Sequence, residues 1–330
     1  MLKGLKLIAA LALLLPAAAS PQAYQPPRHT VRAPMIADGS PYEILARADA
    51  GTQIERDRAP DAELDEHRKL DRALRALAPQ RAGTVDAYVV VIALDSDPVF
   101  GREARIAGQV LQRRYGAAGR TIVLAGSDGN APSALPRGTP ETLAIALARI
   151  AELADRNEDA IILYTTSHGA PVGLYYNDGD SGYGLISPNR LAAMLDRLGL
   201  ANRLLILNAC FAGVFVPRLR SDTSAILTAA SSDRSSFGCI AENDWTFFGD
   251  ALINHALRSP QPLVSAFAEA SGLITSWEAQ YRVMASQPQI SVGTGASRWL
   301  GALERRIPAA ATQPVGRPAV ETSRASMTRH

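Results

Sequence analysis

Residues 160–169 read AIILYTTSHG, and residues 204–213 read LLILNACFAG. Each is an apolar run that gives way to small and polar residues and closes on a glycine. Just past each run sits one residue able to do chemistry: His168 in the first, Cys210 in the second. An apolar run without alternation is what a strand covered on both faces requires. The stretch 87–94 (AYVVVIAL) reads the same way, and shorter runs at 121–125, 225–229 and 289–292 complete a set of six. Helical patterns lie between them. Thr139-Pro140 and Ser187-Pro188 each offer an N-cap followed by proline at the first helical position. Leu143, Leu147 and Ile150 mark the buried face of the first of these helices. Helices are also expected over 105–114, 245–258 and 263–282, and a hairpin over 173–186 around the turn residues NDGDSG. Strands alternating with helices in this way predict an α/β fold, with a mostly parallel six-stranded sheet and helices on both faces.

In such sheets functional groups collect at the carboxyl ends of the strands. His168 and Cys210 both fall there. If their strands are neighbours, about 4.8 Å apart, the two side chains converge. An imidazole beside a thiol favours the thiolate, which attacks a carbonyl carbon, and the imidazolium then protonates the leaving amine. The backbone N–H of Gly169, together with that of Cys210, is placed to hold the resulting oxyanion. A cysteine after a strand is usually a small buried apolar residue, and His-Gly is usually a turn. Their joint occurrence at corresponding strand ends is what favours chemistry.

A third block follows: Thr228-Ala229-Ala230, then Ser235-Ser236-Phe237-Gly238-Cys239, then Thr246-Phe247-Phe248-Gly249-Asp250. The ordered set of strand–HG, strand–xACxxG and this block resembles the legumain-like (C13) cysteine peptidases over roughly residues 86–258. The resemblance implies a caspase-like three-layer sandwich, with His168 as general acid/base and Cys210 as nucleophile. It implies a P1 pocket drawing on Arg102, Asn208, Ser235 and Asp250. An arginine facing an aspartate can hold a carboxamide, accepting from its NH2 and donating to its C=O, which suits Asn at P1. Two departures bear on this. The family usually carries an acid where Asn208 stands, and loss of that charge would let Asp be accepted as well. The family's asparagine that orients the histidine is absent from 95–102 (DSDPVFGR); Asp95 or a backbone carbonyl is left for the role. Arg102 also has a plainer reading as a solvated helix-start arginine. The implied product is an acyl-thioester, open to hydrolysis or to transfer onto an amine. A non-catalytic caspase-fold binding module is the rival reading.

The ends read differently from this core. Lys3 and Lys6, the apolar run Leu7 to Leu15 and the small residues Ala17 to Ala19 predict a signal peptide over 1–19 cleaved after Ala19, and hence an exported protein, periplasmic or secreted. Residues 20–60 are rich in Pro and Arg (PQAYQPPRHTVRAP over 21–34) and read as an extended leader. An amphipathic helix is expected within 61–80, from Leu64, Leu70, Leu74 and Leu77, then the catalytic domain over 81–303 and a disordered tail over 304–330.

Composition excludes several classes. The formal charge is +2, and it falls to balance without Lys3 and Lys6, so neither nucleic acid nor a membrane surface is an expected partner; a peptide or protein substrate is. Two cysteines exclude a multi-disulfide scaffold, and no metal or cofactor is expected. A Cys210–Cys239 disulfide would silence the nucleophile, but the resemblance instead implies that Cys239 is a buried thiol beside the pocket. Asn177, Asp178 and Asp180 lack calcium-loop spacing and read as an Asp-Gly turn. No dinucleotide fingerprint, phosphate loop or GxSxG elbow occurs.

Overall fold

The computed structural model describes residues 28, 30, 38–126 and 133–321. The expected signal peptide lies outside the described residues. In chain order the elements are α1 (Pro41–Ala50), β1 (Gln53–Glu55), α2 (Pro60–Arg75), β2 (Ala87–Ala93), α3 (Pro98–Arg114), β3 (Thr121–Leu124), α4 (Pro140–Leu153), β4 (Ala160–Thr166), β5 (Gly169–Ala170), β6 (Gly173–Asn177), β7 (Gly182–Ile186), α5 (Pro188–Arg197), β8 (Arg203–Asn208), α6 (Val216–Leu219), β9 (Ser224–Thr228), α7 (Leu263–Tyr281), β10 (Gln289–Val292) and α8 (Ala296–Glu304).

The six long-range strands form one sheet in the order β10-β9-β8-β4-β2-β3, parallel except for β10 at its edge. Alternate residues of each central strand serve opposite layers. Val89, Val91, Ile162, Tyr164, Leu204 and Ile206 pack in one core with residues of α3, α7 and α8. Val90, Ile92, Ile161, Leu163, Leu205 and Leu207 pack in the other with residues of α2, α4 and α5. Both faces are therefore dry, which is why these strands read as continuous apolar runs. The result is a three-layer, caspase-like α/β sandwich.

A second, four-stranded sheet has the order β1-β7-β6-β5. It grows out of the expected hairpin and begins at Gly169, directly after the histidine. Its outer strand corrects the reading of the leader. Residues 41–55 are not extended chain but a helix and a strand. Ser40 and Glu43 cap each other's backbone N–H groups at the start of α1. Ala48 is buried against Tyr183 and Leu185, and β1 pairs antiparallel with β7. Arg58 bonds Asp178 and Tyr176 beneath it.

The tail is corrected too. Beyond α8 the chain, through residue 321, crosses the molecule as an extended strap. Thr312 N–H donates to the Arg258 carbonyl, Val315 exchanges bonds with Asn254 and accepts from Trp245 Nε1, and Ala319 is fully buried. Helix boundaries shift as well. α3 starts at Pro98 rather than Arg105, because Asp97-Pro98 supplies a helix start. The expected 245–258 helix is a wide π-turn over Gly249–His255 followed by a 3₁₀ turn.

Candidate active site

β4 and β8 are neighbours in register, with Thr166 opposite Asn208. His168 and Cys210 each lie two residues beyond that pair, at the same carboxyl edge. Ser167 N–H donates to the Asn208 carbonyl at 3.2 Å, which carries the pairing one step further. Gly169 then presses on the other loop: a Cβ there would sit 2.2 Å from the Cys210 carbonyl oxygen and 2.9 Å from the Ala209 Cβ. Only glycine admits this approach. Tyr175 N–H donates to the His168 carbonyl, so 168/175 is the hydrogen-bonded pair of the β5–β6 ladder and 169/174 is not. The Gly169 N–H is thus left out of the ladder.

The chain reverses sharply after Cys210. Phe211 adopts φ 58° and ψ 12°, a left-handed conformation that a bulky residue adopts only when its surroundings hold it there. Two bonds do the holding: Phe211 N–H to the Arg234 carbonyl at 2.8 Å and Gly213 N–H to the Ala230 carbonyl at 3.0 Å. A side chain at Gly213 would collide with the Ser231–Ser232 backbone. The turn raises the thiol from the strand end into a half-buried position, where Cys210 Sγ accepts from Ser236 N–H at 3.2 Å. Cys239, the other free thiol, is held well above the ordinary thiol range, first by burial and then by the charge of Cys210. Both cysteines are free.

His168 is fixed from two sides. Phe100 meets its ring edge-on at 5.1 Å. Its Nε2 faces Asp97 Oδ2 at 3.7 Å. Asp97 raises the imidazole pKa above its ordinary value; burial opposes this, and Asp95 adds to it through its charge. The carboxylate nearest the histidine is therefore Asp97, where the sequence had pointed to Asp95 or a carbonyl. Asp95 stands behind it, nearly fully buried, and accepts from Asp97 N–H at 2.9 Å. The loop is clamped to the hairpin sheet by Asn177, which exchanges backbone bonds with Leu94 and Ser96.

The pocket residues expected from the resemblance do not all meet. Ser235 is exposed on the rim beside Ser236. Arg102 reaches the carbonyls of Ala241 and Asn243, and its Nε lies 3.5 Å from Asp244. Asn208 is 1% exposed and lines no groove. Its amide donates to Glu103 Oε1 at 2.6 Å, to Thr246 Oγ1 at 2.9 Å and to Tyr164 OH at 3.1 Å. Asp250 is also fully buried. It accepts from Asn254 and from Ala319 N–H of the strap, 2.8 Å each, with His255 at 3.5 Å. Burial raises its carboxyl pKa. These two polar residues hold the interior because each finds partners there that solvent would otherwise supply.

Glu103 went unnoticed in the sequence. It is a buried carboxylate from α3 that accepts from Tyr164 OH at 2.5 Å and from both N–H and Oγ1 of Thr246. Burial is the main influence on its pKa and raises it. It supplies to the core beneath Cys210 the acidic group that Asn208 lacks. Among the described residues, no three His, Cys, Asp or Glu side chains are grouped to hold a metal ion, and no helix is long and apolar enough to cross a membrane.

The fold, and a sheet edge where an imidazole and a thiol follow neighbouring strands, point to the class: a caspase-type cysteine peptidase. Residues 141–294 match the model of the peptidase C13 family, which supports a legumain-like cysteine peptidase. The match spans the strands bearing His168 and Cys210; Asp97, Phe100, Arg102 and Glu103 lie before it. No curated protein matches the chain. Among solved structures, caspase-1 from Spodoptera frugiperda is similar at 14% identity and a TM-score of 0.43, over 63% of this chain and 87% of the caspase.

Proposed function

We propose that the protein is an endopeptidase that cleaves through an acyl-thioester on Cys210. The observation that supports this reading is the register of β4 and β8, whose ends lead two residues on to His168 and to Cys210, with Gly169 against the cysteine loop. Cys210 sulfur attacks the scissile carbonyl carbon and its proton passes to His168. The oxyanion takes the N–H groups of Gly169 and Cys210. The imidazolium then protonates the leaving amine and the C–N bond breaks. Water, deprotonated by His168, attacks the thioester and releases the acid. With Nε2 turned to Asp97, Nδ1 is the nitrogen that carries the proton in these steps. Asp97 stabilises the imidazolium and holds the ring's orientation, as an orienting carboxylate does elsewhere.

For P1 we assign recognition to Arg102 with Asp244 in place of Asp250. Both side chains are partly exposed, at 20% and 24%, and together they offer a donor and an acceptor. That pairing suits the carboxamide of Asn; Ser235 on the rim is a further contact. His168 is 39% exposed, so water reaches the thioester, and an amine seated in its place gives transfer instead. The N-terminal pattern of Lys3, Lys6 and the Leu7 to Leu15 run supports export, checked by a mature N-terminus at Ser20.

The test is alkylation by iodoacetamide across pH, with the labelled thiol mapped, alongside turnover of fluorogenic Asn, Asp and Arg peptides. Turnover of the Asn peptide that disappears in Cys210→Ala and His168→Ala is the expected result. Turnover that survives Cys210→Ala would refute the thioester mechanism.

A further inference from the structure

At the far end of α3 from the active site, three arginines converge without an acid. Arg113 and Arg114 close the helix, and Arg258 comes from the 3₁₀ turn opposite. They line a cavity of about 180 Å³ with Gln109, Thr312 and the apolar Pro308. No carboxylate lines the cavity, and none of the three guanidinium groups makes an ion pair among the described residues.

Arg114 is 2% exposed. Its terminal nitrogens donate to the carbonyls of Leu257, Ser259 and Gln261, which accounts for its place in the fold but does not neutralise it. Its Nε is buried with no hydrogen-bond partner, and so is the Nε of Arg258. Arg258 spends one nitrogen on Thr312 Oγ1, and Arg113 one on the Ala310 carbonyl. Burial lowers the Arg258 pKa, and no neighbouring charge offsets it. A guanidinium taken out of water without a counter-charge is costly, and buried charges are ordinarily paired. Carbonyls at a helix end favour cations but leave the net positive charge in place.

We infer that this cavity is a binding site for a small tetrahedral oxyanion of the phosphate or sulfate type, held by Arg113, Arg114 and Arg258. Planar guanidinium groups present paired N–H donors that match such oxygens. The Thr312 hydroxyl adds a donor. The bound anion would tie the strap at 307–312 to the end of α3 and to the 256–258 turn, and so fasten the C-terminal segment to the core. Nothing in the proposed peptide chemistry uses these groups, so the site stands apart from the thioester mechanism.

The test measures thermal unfolding of the full chain in increasing inorganic phosphate, with ionic strength held constant by chloride, and repeats it with sulfate. The expected result is a saturable rise of several degrees in Tm with either tetrahedral anion and none with chloride. Arg258→Gln and the exposed Arg113→Gln should each remove most of that rise. Arg113 makes only a surface carbonyl contact, so its variant remains foldable even if Arg258→Gln is not. An undiminished rise in Arg113→Gln, or no rise in the parent chain, would overturn the assignment.

Discussion

The pairing of Glu103 with Asn208 predicts a specific exchange. Glu103 Oε1 receives the Asn208 amide at 2.6 Å, while its other oxygen receives both donors of Thr246. Glu103→Gln keeps the Thr246 contacts on its amide oxygen but turns an NH2 toward the NH2 of Asn208. Asn208 can rotate, but its amide then points where its Oδ1 now lies without a hydrogen-bond partner. One buried donor is stranded either way, which costs about 1–3 kcal/mol. Asn208→Asp alone sets a second carboxylate against the first in a dry interior, at a cost of about 3 kcal/mol or more. The double variant restores one amide and one carboxylate, with their positions exchanged, and every donor again meets an acceptor. Its stability should return to within about 1 kcal/mol of the parent, a coupling of about 3 kcal/mol between the sites. Urea titration with linear extrapolation reads this directly; in thermal scans each kcal/mol moves Tm by about 2–4 °C in a domain of this size. A double variant as unstable as the two single losses added together would refute the exchange, and with it the claim that α3 supplies the acid missing from β8.

Asp97→Asn removes the first cause of the raised His168 pKa, so the imidazolium loses its proton at lower pH. The acid limb of kcat/KM, set by the neutral imidazole that takes the Cys210 proton, should move to lower pH; an unmoved limb would show that Asp97 does not set it. The raised His168 pKa also adds stability that is present below the unfolded-state value and fades as pH rises through the folded one. Asp97→Asn should lose that acid-side increment, read as a smaller gain in Tm between neutral and mildly acidic pH. Gly169→Ala forces a methyl to 2.2 Å from the Cys210 carbonyl, so the loop must shift and the oxyanion donors with it. A fall in kcat of about 100-fold is expected, with Tm lowered by a loss of about 1–3 kcal/mol. Ala48→Asp buries a carboxylate against Tyr183 and Leu185. It should detach α1 and β1 at a cost of about 1–3 kcal/mol and open the 51–58 segment to limited proteolysis.

The sheet was legible because its chemistry is local. A strand with both faces dry is apolar along most of its length, and 87–94, 160–164 and 204–207 say so without reference to anything distant. The glycine at 169 was read for its backbone N–H; only the structure shows that the Cys210 carbonyl lies where a side chain would stand. What escaped depended on contacts between segments far apart in the chain. Nothing in the string DSDP distinguishes Asp95 from Asp97. The choice is made by the Pro98 helix start, which turns Asp97 outward, and by the bridge from Asp95 to Asn177, which turns Asp95 in. The leader misled because Pro and Arg richness over 21–34 was extended to a segment that carries its own helix signal, Ser40-Pro41 with Glu43 three residues after the cap. Asp250 looked like a pocket wall because the strap that consumes it lies 69 residues further on, in a stretch without periodicity.

The same distance argument applies to Asn208, whose partners include groups outside its own strand. Read within its own strand, an amide in place of an acid removes a charge beneath the nucleophile. Read across the fold, the acid has moved to α3, and the hydrogen-bond set that ties β4, β8 and Thr246 together is complete around Glu103 on the carboxylate side. Such a network fixes the strand end two residues before Cys210, and through it the height at which the left-handed turn at Phe211 lifts the sulfur. Because the polar group needed there is one acceptor among several donors, it can be supplied from either side of the contact.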